Sequence, residues 1–470
     1  MLKYRYLDSH KSSYRWFIVD YVDTILLVKI LLTLDEPVNY ILDGAIAIKN
    51  GIIVDYGPRE SVLNKYRSEN IIEKPHHIAM PGLIDCHTHT QQYLLRSLIN
   101  DKLIQLPPVW TKLLVPFEQN LDSELARLST QASLINMVRN GIVYYVEAGA
   151  PYPEIVVEET IKIGVKGAVS YATYDICDDE VRNSSEVIDR VEKLLIRYHS
   201  FNNNVKIWTS LRQIMMSSEE LVHRVIEIAE KWKTGLTIHL GEYQGEVDYT
   251  LSKYGLRPLE YLLKIGLNRV SPIIVSHGLL LSPHEIRLIR ENDISICWCP
   301  TVDAWLTGIH WAGLMNNGVK VAIGSDGGVW NRLDLLHEAK IAKAIGKSLG
   351  NSILYYKSGL SSEDLIKMIT GLGGNIVKDK VGSIKHGYSA DIIILEYNDL
   401  RTLPLHNPIS LVIDFLEGYS VTDVFVNGRH IVENGIVKSI DEEKVINRIL
   451  DREDDLRRIV NEVSKNLPIK

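Results

Sequence analysis

Apolar residues along this chain gather into short runs, separated by longer stretches in which they recur every three or four positions. The short runs are GLIDCHTH (82–89), GIVYYVEAG (141–149), GVKGAVSYAT (164–173), VKIWTSL (205–211), GLTIHLGE (235–242), PIIVSHG (272–278), ISICWCP (294–300) and VKVAIGSD (319–326). Rich in β-branched residues and bounded by Gly, Pro or Asp, they read as buried strands. Helical patterns lie between them, in DSELARLSTQASLINMVRN (122–140), in Asn183 to His199, and in SSEELVHRVIEIAEKWK (217–233). The last opens with Ser ahead of glutamates, a helix-start signal. Eight β-runs interleaved with helices predict an α/β fold, a (β/α)8 TIM-like barrel.

The flanks have a different rhythm. GAIAIKNGIIVDYGP (44–58) is two short strands around Lys49-Asn50-Gly51, a hairpin signal. The segments 386–399 and 421–437 repeat that style, with Asn427-Gly428 and Asn434-Gly435. Matching β pieces on both sides of a barrel predict a small β-sandwich built from N- and C-terminal segments. The expected boundaries are 1–78 for its first part, 79–380 for the barrel, 381–440 for its second part and 441–470 for a charged C-terminal helix. The first 20 or so residues fit an extra strand or a partner-contacting arm.

Composition removes whole classes of function. Of 470 residues, 46 % are hydrophobic and 24 % charged, an ordinary globular balance. Net charge is −7 with no basic block, so there is no electrostatic footprint for nucleic acid. ILLVKILLTL (25–34) is interrupted by Lys29 and falls short of the roughly 20 residues a bilayer span needs, so no membrane partner is expected. The mixed residues before it do not resemble a signal peptide. Four cysteines, Cys86, Cys177, Cys297 and Cys299, are too few for a disulfide framework. Reduced thiols in a cytoplasmic protein are expected.

The candidate chemistry sits at the predicted strand ends, which converge on one face of a barrel. His87 and His89 are one residue apart in a strand and so point the same way. His239 ends the fifth run, His277 the sixth and Asp326 the eighth. Singly, each fits a hydrogen-bonded core residue. Four imidazoles and a carboxylate in one mouth have no packing rationale, because an unpaired buried Asp is costly. A divalent cation resolves this. Zinc with three nitrogen ligands, one oxygen ligand and an open position for water fits catalytic practice. Glu242, three residues after His239, is a candidate proton shuttle; its bland alternative is a surface-loop acid.

MPGLIDCHTH, IHLGE, SHG, CPT, IGSDG and the closing ADIIILE and VFVNGR resemble, in order, the amidohydrolase superfamily, in particular its cytosine/adenosine/guanine deaminase and triazine-hydrolase branch. The resemblance implies one Zn or Fe ion on His87, His89, His239 and Asp326. It implies that His277 polarises the hydrolytic water, that Glu242 moves a proton to the substrate ring, and that Asp326 also accepts a proton. The fourth run, ending WTSLRQ, lacks the lysine of two-metal members, which favours one metal.

The resemblance is less uniform around the substrate. VWTKLLVPFE (109–118) is similar to a family stretch whose Trp, here Trp110, would lie over a planar ring; packing in a barrel loop is its plain alternative. Nucleoside deaminases of the branch carry Glu two residues earlier, where this chain has Pro108, and G-P-H where it has Ser210-Leu211-Arg212. HTHTQQY and the Arg after the fourth strand resemble guanine deaminases, making Gln92 and Arg212 candidate substrate-binding residues. Val302 and Asp303 replace the Ser-Asn of that group, which predicts an altered pocket wall. The expected function is thus metal-dependent deamination of an amino-substituted nitrogen heterocycle, a guanine-like base among the candidates, by metal-activated water. The alternatives are hydrolysis of another C–N or C–X bond, in a triazine-like ring or in a nucleoside such as S-adenosylhomocysteine or 5′-methylthioadenosine, and a barrel that binds without turnover. The five intact positions count against the last. The resemblance also implies a homo-oligomer, a dimer.

Overall fold

A computed structural model describes residues 3–4, 17–34, 38–98, 109–177, 180–306, 318–352 and 360–465. Pro108 lies outside these residues, as does most of the segment before residue 17; within the latter, Lys3–Tyr4 pairs antiparallel with Phe17–Ile18.

The strands central to the fold are, in chain order, β1 (Thr24–Leu32), β2 (Tyr40–Lys49), β3 (Ile52–Pro58), β4 (Asn70–Pro81), β5 (Leu83–Thr88), β6 (Ile142–Glu147), β7 (Lys166–Val169), β8 (Val205–Ile207), β9 (Thr209–Leu211), β10 (Leu236–Leu240), β11 (Ile273–His277), β12 (Ser295–Trp298), β13 (Lys320–Ile323), β14 (Ile392–Glu396), β15 (Val421–Val426), β16 (Arg429–Glu433) and β17 (Ile436–Val437). All eight apolar runs expected to be strands are strands. They lie in two parallel sheets, β8-β7-β6-β5 and β9-β10-β11-β12-β13. The fourth run serves both sheets. Its Trp208 N–H donates to Val169 O at 3.0 Å, and the next N–H, of Thr209, donates to Gly235 O at 2.9 Å on the other side. Between the last run and the first, the backbone contact is the bond from Ser325 N–H to His87 O at 3.1 Å, beyond the end of β13.

Helices alternate with these strands as the periodicity predicts. Ser123–Arg139 starts where Asp122 accepts from Leu125 N–H at 2.8 Å, and Glu219–Trp232 where Ser218 accepts from Leu221 N–H at 3.2 Å. Every residue of β5, β6, β10, β11 and β12 is buried. That is why these runs are rich in apolar residues on both faces rather than alternating with polar ones.

The flanking segments form one eight-stranded mixed sheet, ordered β17-β16-β15-β14-β4-β1-β2-β3. N- and C-terminal strands are zipped together at β4–β14, where Met80 faces Ile393 and Ile78 faces Leu395. The predicted sandwich is thus a single sheet folded over itself. Ala390 N–H donates to Gly51 O and Gly428 N–H to Ala390 O, both at 2.9 Å, which brings the β2–β3 turn onto the start of β14 and the β15–β16 turn. Asn50 (φ 51°) and Gly51 (φ 75°) are both left-handed, as the hairpin signal requires. Leu26, Ile46, Ile53, Ile392 and Phe425 fill the fold.

This sheet is tied to the parallel strands. β4 runs into β5 through Gly82, where a Cβ would lie 2.3 Å from Val143 Cγ1, so only glycine fits. Buried Lys166, at the start of β7, donates to Asp391 Oδ2 at 2.6 Å and Ser389 Oγ at 2.7 Å. The C-terminal segment differs from the single helix expected. It is two helices, Glu442–Asp451 and Glu453–Val463, meeting at Arg452 (φ −104°, ψ 11°). The Arg452 guanidinium reaches Asp122 at 2.6 Å, Glu124 at 2.8 Å and Asp455 at 2.6 Å, pinning the break to the helix that follows β5. Among the described residues, no helix is long and apolar enough to cross a membrane.

Candidate active site

His87 and His89 lie at the end of β5, His239 in β10, His277 at the end of β11 and Asp326 just after β13. The five residues expected to converge do so, and all are buried. His87 Nε2 lies 3.4 Å and His89 Nε2 3.6 Å from Asp326 Oδ1. The ligand atoms of His87, His89 and Asp326 lie within 4.8 Å of one another, as do those of His87, His239 and His277. His277 (φ 66°) and Asp326 (φ 51°) have left-handed backbones, unusual for such residues and common where a site holds strain.

Several observations fit a cation here. His89 Nε2 and His239 Nε2 are 3.1 Å apart, closer than two bare lone pairs tolerate without a proton or a metal beside them. His87 Nε2 is buried with no hydrogen-bond partner, while its Nδ1 contacts Ser276 Oγ at 2.7 Å, which fixes the ring. Burial pushes the pKa of His87 down and those of His89 and His239 well down, keeping the imidazoles neutral and able to ligate. Burial would raise Asp326, but the nearby His87, His277 and His89 rings outweigh it and hold the carboxyl below its ordinary range. Three neutral nitrogens and an ionised oxygen suit a zinc-type divalent ion.

Two acid–base groups face the same space. Glu242 Oε1 lies 3.8 Å from His277 Nε2, and its other oxygen accepts from Gln213 Nε2 at 2.9 Å. Burial pushes Glu242 up to about 7, in the range a proton shuttle needs. Burial pulls His277 down, but the Glu242 and Asp303 carboxylates outweigh it and raise it to about 10. A divalent cation held alongside would oppose that proton. His277 Nε2 is buried and unpartnered.

These groups open into a pocket of about 470 Å³, counting its mouth. Gln92, Trp110 and Arg212 all line it, as expected. Trp110 begins a wide π-type turn, Trp110–Leu114, and meets Tyr243 edge-on at 5.6 Å between ring centroids. Gln92 Nε2 donates to Glu118 Oε1 at 2.6 Å, and Arg212 Nη2 donates to the same oxygen at 3.2 Å. Buried Glu118, the last residue of the VWTKLLVPFE stretch, was given no role from sequence; it gathers both substrate-binding candidates and balances the Arg212 charge. Val109, Leu114, Val302, Leu306 and Trp330 give the pocket its apolar lining.

One expectation needs correcting. Val302 lines the pocket, but Asp303 is fully buried behind it and contributes nothing to the wall. Its Oδ1 lies 2.8 Å from His277 Nδ1, and its Oδ2 accepts from Cys299 N–H at 3.0 Å. Sequence reasoning also missed Gln213 and Ser276, for which the only signal was adjacency to Arg212 and His277.

The amidohydrolase family profile matches residues 78–431. The 5-methylthioadenosine/S-adenosylhomocysteine deaminase of Pyrococcus horikoshii is 30% identical over 394 residues, covering 83% of this chain and 90% of its own length. Among solved structures, a zinc-bound adenosine deaminase from Xanthomonas campestris superposes with a TM-score of 0.86 at 23% identity, covering 94% of this chain and 100% of its own. A guanine deaminase from C. acetobutylicum, with guanine in its active site, superposes at 0.78 and 22% identity, covering 87% and 99%.

Proposed function

The chain belongs to the amidohydrolase family, as an enzyme acting on carbon–nitrogen bonds, and from that premise we propose that it is a zinc-dependent deaminase of an amino-substituted nitrogen heterocycle. The observation that carries this is the meeting of a four-donor cation site with Glu242 and the bare Nε2 of His277 at one pocket floor. In this reading the two parallel sheets are halves of one (β/α)8 barrel.

His87, His89, His239 and Asp326 would hold the metal. When bound, it supplies a water whose pKa is lowered toward neutrality. His277 Nε2, buried and without a protein partner, would orient that water by hydrogen bonding. Glu242, near 7, passes a proton to a ring nitrogen and then to the departing amine, which leaves as ammonia. Trp110 and Trp330 enclose a flat ring. Gln92 and Arg212, held by Glu118, present donors and an acceptor to its polar edge. With its charge balanced by Glu118, Arg212 suits a neutral carbonyl edge such as that of a guanine-like base.

The name of the Pyrococcus relative favours a second reading, a thio-substituted adenine nucleoside, whose apolar arm would lie on the Val302–Leu306 wall. Ammonia release from zinc-loaded protein, measured over guanine, other aminopurines, aminopyrimidines, aminotriazines, 5′-methylthioadenosine and S-adenosylhomocysteine, decides between them. Release of chloride from chlorotriazines with no ammonia from any substrate would overturn deamination. Four buried cysteines, none of them in a disulfide, suit a cytoplasmic setting, and we take the chain to act as a dimer.

A further inference from the structure

We infer that Asp303 is a positioning residue for the hydrolytic step, holding the His277 ring by its Nδ1–H so that Nε2 points at the reacting water. This rests on the hydrolase reading above.

The geometry is that of a clamp. Asp303 sits in the first turn of the helix Pro300–Leu306, directly after β12, while His277 ends the neighbouring β11. One carboxylate oxygen meets His277 Nδ1 at 2.8 Å and the other takes the Cys299 N–H at 3.0 Å, so both oxygens are committed. Asp303 is fully buried and absent from the pocket lining, so it touches no substrate. His277 has a left-handed backbone, and its ring needs an outside anchor to hold one orientation. Its other nitrogen, Nε2, is buried with no partner in the protein and faces Glu242 Oε1 at 3.8 Å. One nitrogen anchored and the other left open toward the chemistry is what a water-orienting imidazole requires.

The carboxylate differs from an amide in a way that can be measured. An Asn at 303 replaces one of the two oxygens by an NH2, so in the same rotamer it cannot meet both His277 Nδ1–H and Cys299 N–H with an acceptor. One bond breaks, and an N–H is set against an N–H. An Ala at 303 removes both acceptors.

The test uses zinc-loaded full-length protein. Asp303→Asn and Asp303→Ala are compared with wild type for kcat and KM on whichever substrate releases ammonia, with zinc content measured for each. In parallel, protein labelled with ¹⁵N-histidine reports the protonation pattern of each ring, the His277 signals being assigned by their loss in His277→Asn. The expected result is a kcat lowered about 10–100-fold in Asp303→Ala and less in Asp303→Asn, with KM within about two-fold and zinc content unchanged. Wild-type His277 should carry its proton on Nδ1 and lose that fixed pattern in Asp303→Ala. A wild-type kcat, or an unchanged His277 ring pattern, in both variants would overturn the inference; should Asp303→Ala fail to fold, Asp303→Asn decides alone. If wild-type protein hydrolyses nothing, the enzymatic reading fails by itself, and a wild-type His277 lacking the Nδ1 proton removes the clamp separately.

Discussion

Replacing Glu242 by Gln tests the proton shuttle with little disturbance of the fold. Glu242 Oε2 accepts one hydrogen bond, from Gln213 Nε2 at 2.9 Å, and the glutamine amide oxygen can accept that same bond. The side chain belongs to neither metal-ligating group, so the four donors stay as they are. Exchanging a buried group whose pKa is near 7 for a neutral isostere costs the fold about 1 kcal/mol or less, since no hydrogen bond to protein is lost. The chemistry loses more. A positioned acid–base group is worth about 10²–10⁴ in rate, or about 3–5 kcal/mol of transition-state free energy at about 1.4 kcal/mol per decade. Steady-state ammonia release on the best substrate, with zinc quantified by mass spectrometry, should show kcat falling by that factor, KM changing little and zinc staying at wild-type content. Retention of more than a tenth of wild-type kcat with full zinc would refute the role given to Glu242.

Dialysis against a chelator should abolish activity and lower the melting temperature, because a ligand bound only by the folded state stabilises it by mass action; re-addition of zinc should restore both, followed by calorimetry and turnover. Arg212→Met removes one partner of a buried pair and strands Glu118, so chemical denaturation should show a loss of about 3–5 kcal/mol, with KM raised more than kcat is lowered. Asp423 offers a pH test far from the site. Burial would raise its carboxyl, but His430 at 2.9 Å and Lys74 at 2.7 Å outweigh that and hold it below its ordinary range. The stabilisation of a depressed carboxylate is present above its unfolded pKa and lost as pH falls through the folded one. Stability should therefore decline below about pH 4, and Asp423→Asn should flatten that decline in denaturation curves taken at stepped pH.

The eight strand runs were legible because most of their residues are buried on both faces, which concentrates apolar side chains instead of alternating them with polar ones. The convergence of the candidate site was legible because strand spacing alone puts His87 and His89 on one side, and because His239, His277 and Asp326 fall at equivalent ends of other runs. The β2–β3 turn was legible because Asn50-Gly51 tolerates left-handed backbone where other pairs do not. Each of these is a local property of chain geometry.

Contacts between distant segments were not legible. Nothing local distinguishes Glu118, in the short helix Val115–Asn120, from a surface acid. Only folding sets it against Arg212, 94 residues on, and Gln92, 26 residues before. Asp303 looked like pocket wall because it follows Val302, but on a helical turn consecutive side chains point different ways, and this one turns inward to His277. The break at Arg452 likewise depends on acids more than 320 residues away, while the sequence alone shows only continuous amphipathic periodicity. By itself, the sequence determined the strand set and which histidines and aspartate gather at the strand ends, since both follow from periodicity and strand geometry. The tertiary structure decided which buried charges meet, because the contacts of Asp303 with His277 and of Glu118 with Arg212 and Gln92 join segments far apart in the chain.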